Sequence, residues 1–200
     1  MNRIITIGRE FGSGGRELGR RLAENLKIAY YDREIVEELG KRTELAEDYI
    51  ERVDESRPLP LPPITTCRTF GIPYNYVMEE RLSVYTQESN IIREMAEKSD
   101  CVIVGRCADY VLHDWNPYRI FVYADMPSRI ARCRRKGMDA ATLTDREIQQ
   151  KIVSVDKKRA RYYQFYTDNT WGDKRNYHLC INTGGEDIKR LAAALACFIK

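Results

Sequence analysis

A β-branched apolar run, Ile4-Ile5-Thr6-Ile7, enters the segment Gly8-Arg9-Glu10-Phe11-Gly12-Ser13-Gly14-Gly15-Arg16-Glu17. Beyond it Leu18, Leu22, Ala23 and Leu26 recur at helical spacing. Strand, glycine loop and helix in that order form a place where backbone N–H groups and the positive end of a helix can wrap a phosphate. Glycine suits such a loop because it takes left-handed angles and lets the backbone approach a ligand without a Cβ. A tight strand-to-helix turn with no ligand is the competing account. Two nucleotide motifs compete for the segment. G-x-x-x-x-G-K-[ST] requires lysine after its last spacing glycine, yet Gly15 follows Gly14 and the basic residue comes one later, as Arg16. G-x-G-x-x-G begins at Gly12 and Gly14, but its third glycine falls on Glu17; Asp32 is the carboxylate that this second motif would set on a ribose.

The rest of the chain alternates in the same manner. Residues 28–31, 101–105, 119–124 and 178–182 read as further strands, and 33–40, 76–98, 127–136, 144–163 and 186–199 as helices. About five short strands alternating with helices predict an α/β protein whose mostly parallel sheet is covered on both faces. Pro58, Pro60, Pro62 and Pro63 interrupt the pattern in a loop. With 200 residues, 43% of them hydrophobic, the chain suits a single domain over 1–200.

Net charge is only +3, but the stretch from Arg129 to Arg161 carries +7 and the remainder −4, which points to a polyanionic ligand; a solvated helix face is the alternative. Six cysteines without a C-x-x-C pair read as reduced thiols, and the N-terminus reaches glycine and charge too early for a signal peptide. No stretch approaches the ~20 apolar residues of a membrane span. The expectation is a cytoplasmic protein without a membrane partner. His113 and His178 lack metal-ligand spacing, so no protein-held metal is expected.

The opening I-T-I-G-R-E-F-G-S-G-G-R-E-L-G-R-x-L-A with I-A-Y-Y-D-R-E-I-V resembles the cytidylate kinase-like family of P-loop nucleoside monophosphate kinases. Val104-Gly105-Arg106, the stretch 119–135 and Leu179-Cys180-Ile181-Asn182-Thr183 agree with it. The resemblance implies a P-loop NTPase fold with a helical monophosphate-binding insertion over 42–98 and a basic lid over 134–175. It implies ATP and Mg²⁺ as cofactors and phosphoryl transfer to a nucleoside monophosphate or similar small phosphate acceptor. Matched by position, Gly12, Ser13 and Gly14 wrap phosphate, Gly15 stands where the lysine would bridge the β- and γ-phosphates, and Arg16 is the nearest cation to replace it. Asp32, Arg33, Arg106 and Asp109 fall at the acceptor site, with Arg106 the residue to grip its phosphate; capping by Asp32 and a carboxylate partner for Arg106 are the structural alternatives. Arg132, Arg135, Arg159 and Arg161 form the expected lid clamp on the transferring group.

Nucleotides are thus the expected partners, with a homodimer left open. A catalytically weak nucleotide-binding sensor that lost the loop lysine is the rival reading. Tyr162-Tyr163-Gln164-Phe165-Tyr166 and Trp171 could stack nucleic-acid bases beside the arginines, but packing of the lid on the core is the preferred account.

Overall fold

The computed structural model describes residues 2–43, 73–136 and 143–199, and for 73–81 the helical backbone alone. In chain order come β1 (Ile4–Arg9), α1 (Gly15–Leu26), β2 (Ala29–Tyr31), α2 (Arg33–Thr43), α3 (Pro73–Lys98), β3 (Cys101–Val104) and α4 (Ala108–Val111). They are followed by β4 (Tyr118–Tyr123), α5 (Met126–Arg135), α6 (Asp145–Thr167), β5 (Leu179–Asn182) and α7 (Ile188–Ile199). The proline cluster at 58–63, Cys67 and the middle of the expected 42–98 insertion lie outside the described residues, as does 137–142 of the expected lid.

The period-two alternation of strands sorts the apolar residues onto two faces of one sheet. Ile5 and Ile7 of β1 turn one way with Val102, Val104, Ile120 and Val122, where α1 and α7 close over them through Leu18, Leu22, Ala192 and Leu195. Ile4, Cys101 and Ile103 turn the other way, against Ile35 and Leu39 of α2 and Ile91 and Ile92 of α3. Burial on both faces is why these strands read as continuous apolar runs, and each fully buried isoleucine or leucine contributes about 1.5–3 kcal/mol.

The strand order is β2-β3-β1-β4-β5 and all these pairings are parallel, with Ile7 opposite Val104 on one side and Ile120 on the other. The chain leaves β1 for one side of the sheet and β3 for the other, so the loops after them part and open a crevice at the carboxyl ends of the strands. No helix among the described residues is long and apolar enough to cross a membrane.

Helix α6 runs past Tyr163, where the sequence pattern ended it, to Thr167. Its last turn is held by rings: Tyr166 stacks on Tyr85 at 3.9 Å between centroids, and Tyr162 and Tyr163 are buried with Cys107 and Trp171. Phe165 stays largely exposed.

Candidate functional site

The loop between β1 and α1 is gripped from behind by two buried arginines of α5. Arg129 donates from Nε to the Phe11 carbonyl at 2.7 Å, pairs with Asp156 through Nη2 and lies 3.2 Å from Glu10 Oε2. Asp156 in turn accepts the Phe11 N–H at 2.8 Å, so both backbone groups of that residue are held. One turn on, Arg132 donates to the Ser13 carbonyl at 3.2 Å and to the carbonyl of Thr183, whose hydroxyl also donates to Ser13 O at 2.6 Å. Gly12 and Gly14 have φ of 77° and 86°, and Gly14 caps α1 without a side chain. The first N–H groups of a helix have no intrahelical partner, and the residues at the start of α1, Gly15 and Arg16, line a cavity here.

Two cavities meet at this loop. The inner one, about 220 Å³, lies between the ends of β1 and β3 and α6; Arg9, Arg16, Arg33, Arg106 and Arg159 line it, with Asp109 the carboxylate among them. The outer one, about 600 Å³, runs over Gly12, Gly14 and Gly15 and shares Arg9, Phe11, Arg16, Arg33 and Arg159 with the first. A groove of about 710 Å³ continues past Arg132, Arg135 and Lys136 to Gly185 and Ile188.

The structure therefore brings most of the expected residues to one place, with partners that spacing did not reveal. Arg16 is half exposed and holds Asp32 Oδ2 at 2.9 Å; Asp32 is buried, its Oδ1 3.8 Å from Arg9. Arg106 pairs with Glu88, which is 1% exposed and also accepts from Tyr162 at 3.0 Å, so the carboxylate-partner alternative describes its contact. Its φ of 57°, between Gly105 at 80° and Cys107 at 51°, folds the loop after β3 into a left-handed turn at the inner cavity. Arg159 donates to the Arg9 carbonyl at 3.2 Å and lies over the Phe11 ring. Among the other members of the expected clamp, Arg132 is a buried support of the loop that also lines the outer cavity and the groove, whereas Arg161 is exposed and lines none of these three cavities. Two residues along a helix rotate the side chain by about 200°, so Arg159 and Arg161 face apart. Arg135 lines the groove and not the cavities beside the loop.

Arg9 was not singled out from the sequence. Burial, then Arg159, lower its pKa to about 9, with Asp32 acting the other way, and its Nε has no hydrogen-bond partner among the described residues. A guanidinium at neutral pH keeps its proton. The shift therefore expresses a buried positive charge that Asp32, at 3.8 Å and shared with Arg16, offsets only in part, and that an anion would relieve further. Thr6, 2% exposed, also lines the inner cavity, and its Oγ1 has no hydrogen-bond partner among the described residues.

At the far wall Asp109 Oδ2 accepts from Tyr163 at 2.7 Å. Burial raises the Asp109 pKa, against the lowering effect of the Tyr163 bond. A carboxyl whose folded pKa lies above its unfolded value contributes stability in acid that is lost as pH rises through the folded pKa. Asp109→Asn, which keeps an acceptor for Tyr163, is expected to melt above the parent at neutral pH, with the difference closing in acid. Thermal melts across pH check this; a constant difference would refute it.

Five parallel strands in this order, with a glycine loop after the first and helices on both faces, define the P-loop kinase fold. The chain belongs to the cytidylate kinase-like family, whose sequence model matches residues 4–185. It is 28% identical to an uncharacterized protein from Eubacterium ventriosum, with 98% of each chain covered and a TM-score of 0.70. Two shikimate kinases share the fold. That of Bacteroides thetaiotaomicron is 16% identical, covering 100% of this chain and 99% of its own, with a TM-score of 0.59. That of Acinetobacter baumannii, in complex with shikimate, is 17% identical over 100% and 93%, with a TM-score of 0.53. No curated protein matches the chain.

Proposed function

We propose that the protein transfers the γ-phosphoryl group of ATP to a nucleoside monophosphate or a similar small phosphate acceptor. The observation that carries this reading is the junction of the two cavities, walled by Arg9, Arg16, Arg33 and Arg159. In-line transfer needs donor and acceptor oxygens on either side of the moving phosphoryl group and cations around it, and asks little covalent chemistry of the protein. Guanidinium groups already in place at a partly desolvated junction stabilise the charge that spreads over the equatorial oxygens, without reorganising as it develops.

The donor triphosphate fits the glycine loop and the start of α1, and the groove past Arg132 and Arg135 has room for its nucleoside end. The acceptor takes the inner cavity, its phosphate toward the arginines and the remainder against Tyr162, Tyr163, Trp171 and Asp109. Mg²⁺ fits as a partner of the phosphate oxygens, which it neutralises; among the described residues no trio of His, Cys, Asp or Glu is grouped to hold a metal by itself. Gly15 in the lysine position favours the second reading, a nucleotide-binding protein with little or no turnover.

ATP consumption by the purified chain with Mg²⁺ against a panel of nucleoside monophosphates tests the proposal. The expected outcome is turnover that depends on one acceptor. ATP binding without turnover on any acceptor would favour the second reading, and absence of ATP binding would sink both.

A further inference from the structure

In the phosphate-loop pattern G-x-x-x-x-G-K, placing the second glycine on Gly14 puts the first at position 9 and the lysine at position 15. This chain has arginine at 9 and glycine at 15. The two ends of the motif have exchanged residue types, and the structure supplies a steric reason. A Cβ at position 15 would lie 2.5 Å from Arg9 Cβ and 3.1 Å from Arg9 Cγ. These atoms begin the Arg9 side chain and cannot swing aside as its end could, so they occupy the space from which a lysine at 15 would start. The other end of the slot is cut by a second glycine. Any Cβ at Gly105 would overlap Arg9 Nη1.

The Arg9 side chain thus crosses from the glycine loop to the end of β3, and it lines both the outer and the inner cavity. Among the described residues its Nε has no hydrogen-bond partner, and Asp32, the carboxylate it approaches, stands at 3.8 Å while making a closer contact of 2.9 Å with Arg16. Arg16 begins its course one residue after the lysine position, a rotation of about 100° along the helix, and is directed to Asp32.

We infer that Arg9, and not Arg16, takes the place of the phosphate-loop lysine, laying its guanidinium across the phosphates nearest the transfer junction, and that Gly15 is glycine in order to admit it. This deepens the kinase reading and rests on it for the identity of the phosphates. The recognised chemistry is a chain of linked phosphates, which inorganic tripolyphosphate shares with ATP.

The test is calorimetric titration of Mg-ATP and of inorganic tripolyphosphate into the parent, Arg9→Met, Arg9→Gln, Arg16→Gln, Gly15→Lys and the double exchange Arg9→Gly/Gly15→Lys, with melting temperatures beside it. Loss of a charge-assisted contact predicts that Arg9→Met and Arg9→Gln weaken both ligands by about 10–100-fold. Their melting temperature is expected to hold or rise, since a poorly neutralised buried cation has been removed. Arg16→Gln is expected to weaken them by less. Gly15→Lys alone loses binding through the overlap with Arg9, and the double exchange recovers affinity to within about tenfold of the parent by restoring the usual placement.

Unchanged affinity in the folded Arg9 variants would overturn the inference, as would a larger loss in Arg16→Gln. A marked drop in melting temperature for both Arg9 variants with affinity retained in the folded fraction would make Arg9 structural and overturn it also. A parent that binds tripolyphosphate but turns over no acceptor ends the kinase reading and leaves Arg9 to be judged by these affinities. A parent that binds neither ligand overturns both.

Discussion

Glu88→Ala is expected to lower the unfolding free energy by about 3–5 kcal/mol, a large share of what holds a domain of this size folded. Glu88 is 1% exposed, and both its oxygens are used: one accepts from Arg106 and the other from the Tyr162 hydroxyl at 3.0 Å. Truncation leaves a guanidinium with 12% of its side chain exposed and a buried hydroxyl without that shared acceptor. Tyr162 belongs to a cluster with Tyr85, Tyr163 and Cys107, and the inner cavity that Arg106 and Tyr162 line is the side from which water reaches the groups left behind. Glu88→Gln separates the two contributions, since its amide keeps an acceptor for Tyr162 and loses the charge that pairs with Arg106. Urea unfolding at neutral pH reads both variants. A loss below about 1 kcal/mol in Glu88→Ala, the scale of an exposed pair, would show that solvent screens this one. The variant also bears on the site, because Glu88 sets the direction of Arg106 at the wall of the inner cavity.

A loss of similar size, about 3–5 kcal/mol, is expected for Arg129→Ala, with a pH signature of its own. The substitution removes the donor from the Phe11 carbonyl and the counter-charge from Asp156 and Glu10 together. Burial already raises the Glu10 pKa, and Arg129 is the first of the effects that hold it down. Without Arg129 the folded pKa rises further above the unfolded value. Such a group contributes stability at low pH that is lost as pH rises through its folded pKa. The deficit of the variant is therefore expected to be smallest in acid, where Glu10 is protonated in both folded proteins, and to grow toward neutral pH. Thermal melts of parent and variant across that range decide it; a deficit that shrank toward neutral pH would contradict this account of Glu10. The loop residues held by Arg129 precede Gly12, so nucleotide affinity is expected to fall with stability.

Both predictions depend on contacts between residues remote in sequence. Glu88 and Arg106 belong to α3 and the loop after β3; Arg129 and Asp156 belong to α5 and α6. No spacing rule links such pairs, because helix and strand periodicity relates only residues within one element. The basic stretch 129–161 shows the consequence. Its charge excess was readable, but its arginines go to separate ends: Arg129 and Arg132 under the loop, Arg159 at the cavity junction, Arg161 in solvent. Arg9 had a signal in the sequence, since an arginine in the place of the first motif glycine and a glycine in the place of the lysine are two departures in one loop. What they meant depended on knowing that the two positions share one space.

The sequence by itself determined the parallel α/β architecture and the location of the phosphate loop. Those properties are written locally, in apolar runs long enough for a buried strand, in helical repeats of leucine and alanine, and in glycines between the first of each. Tertiary structure alone decided which cation faces the loop, which carboxylate each arginine meets and where two cavities join. Those are settled when the loops after β1 and β3 and the helix α6 converge on a volume too small for every charge to keep its water, so that each must find a partner or wait for a ligand.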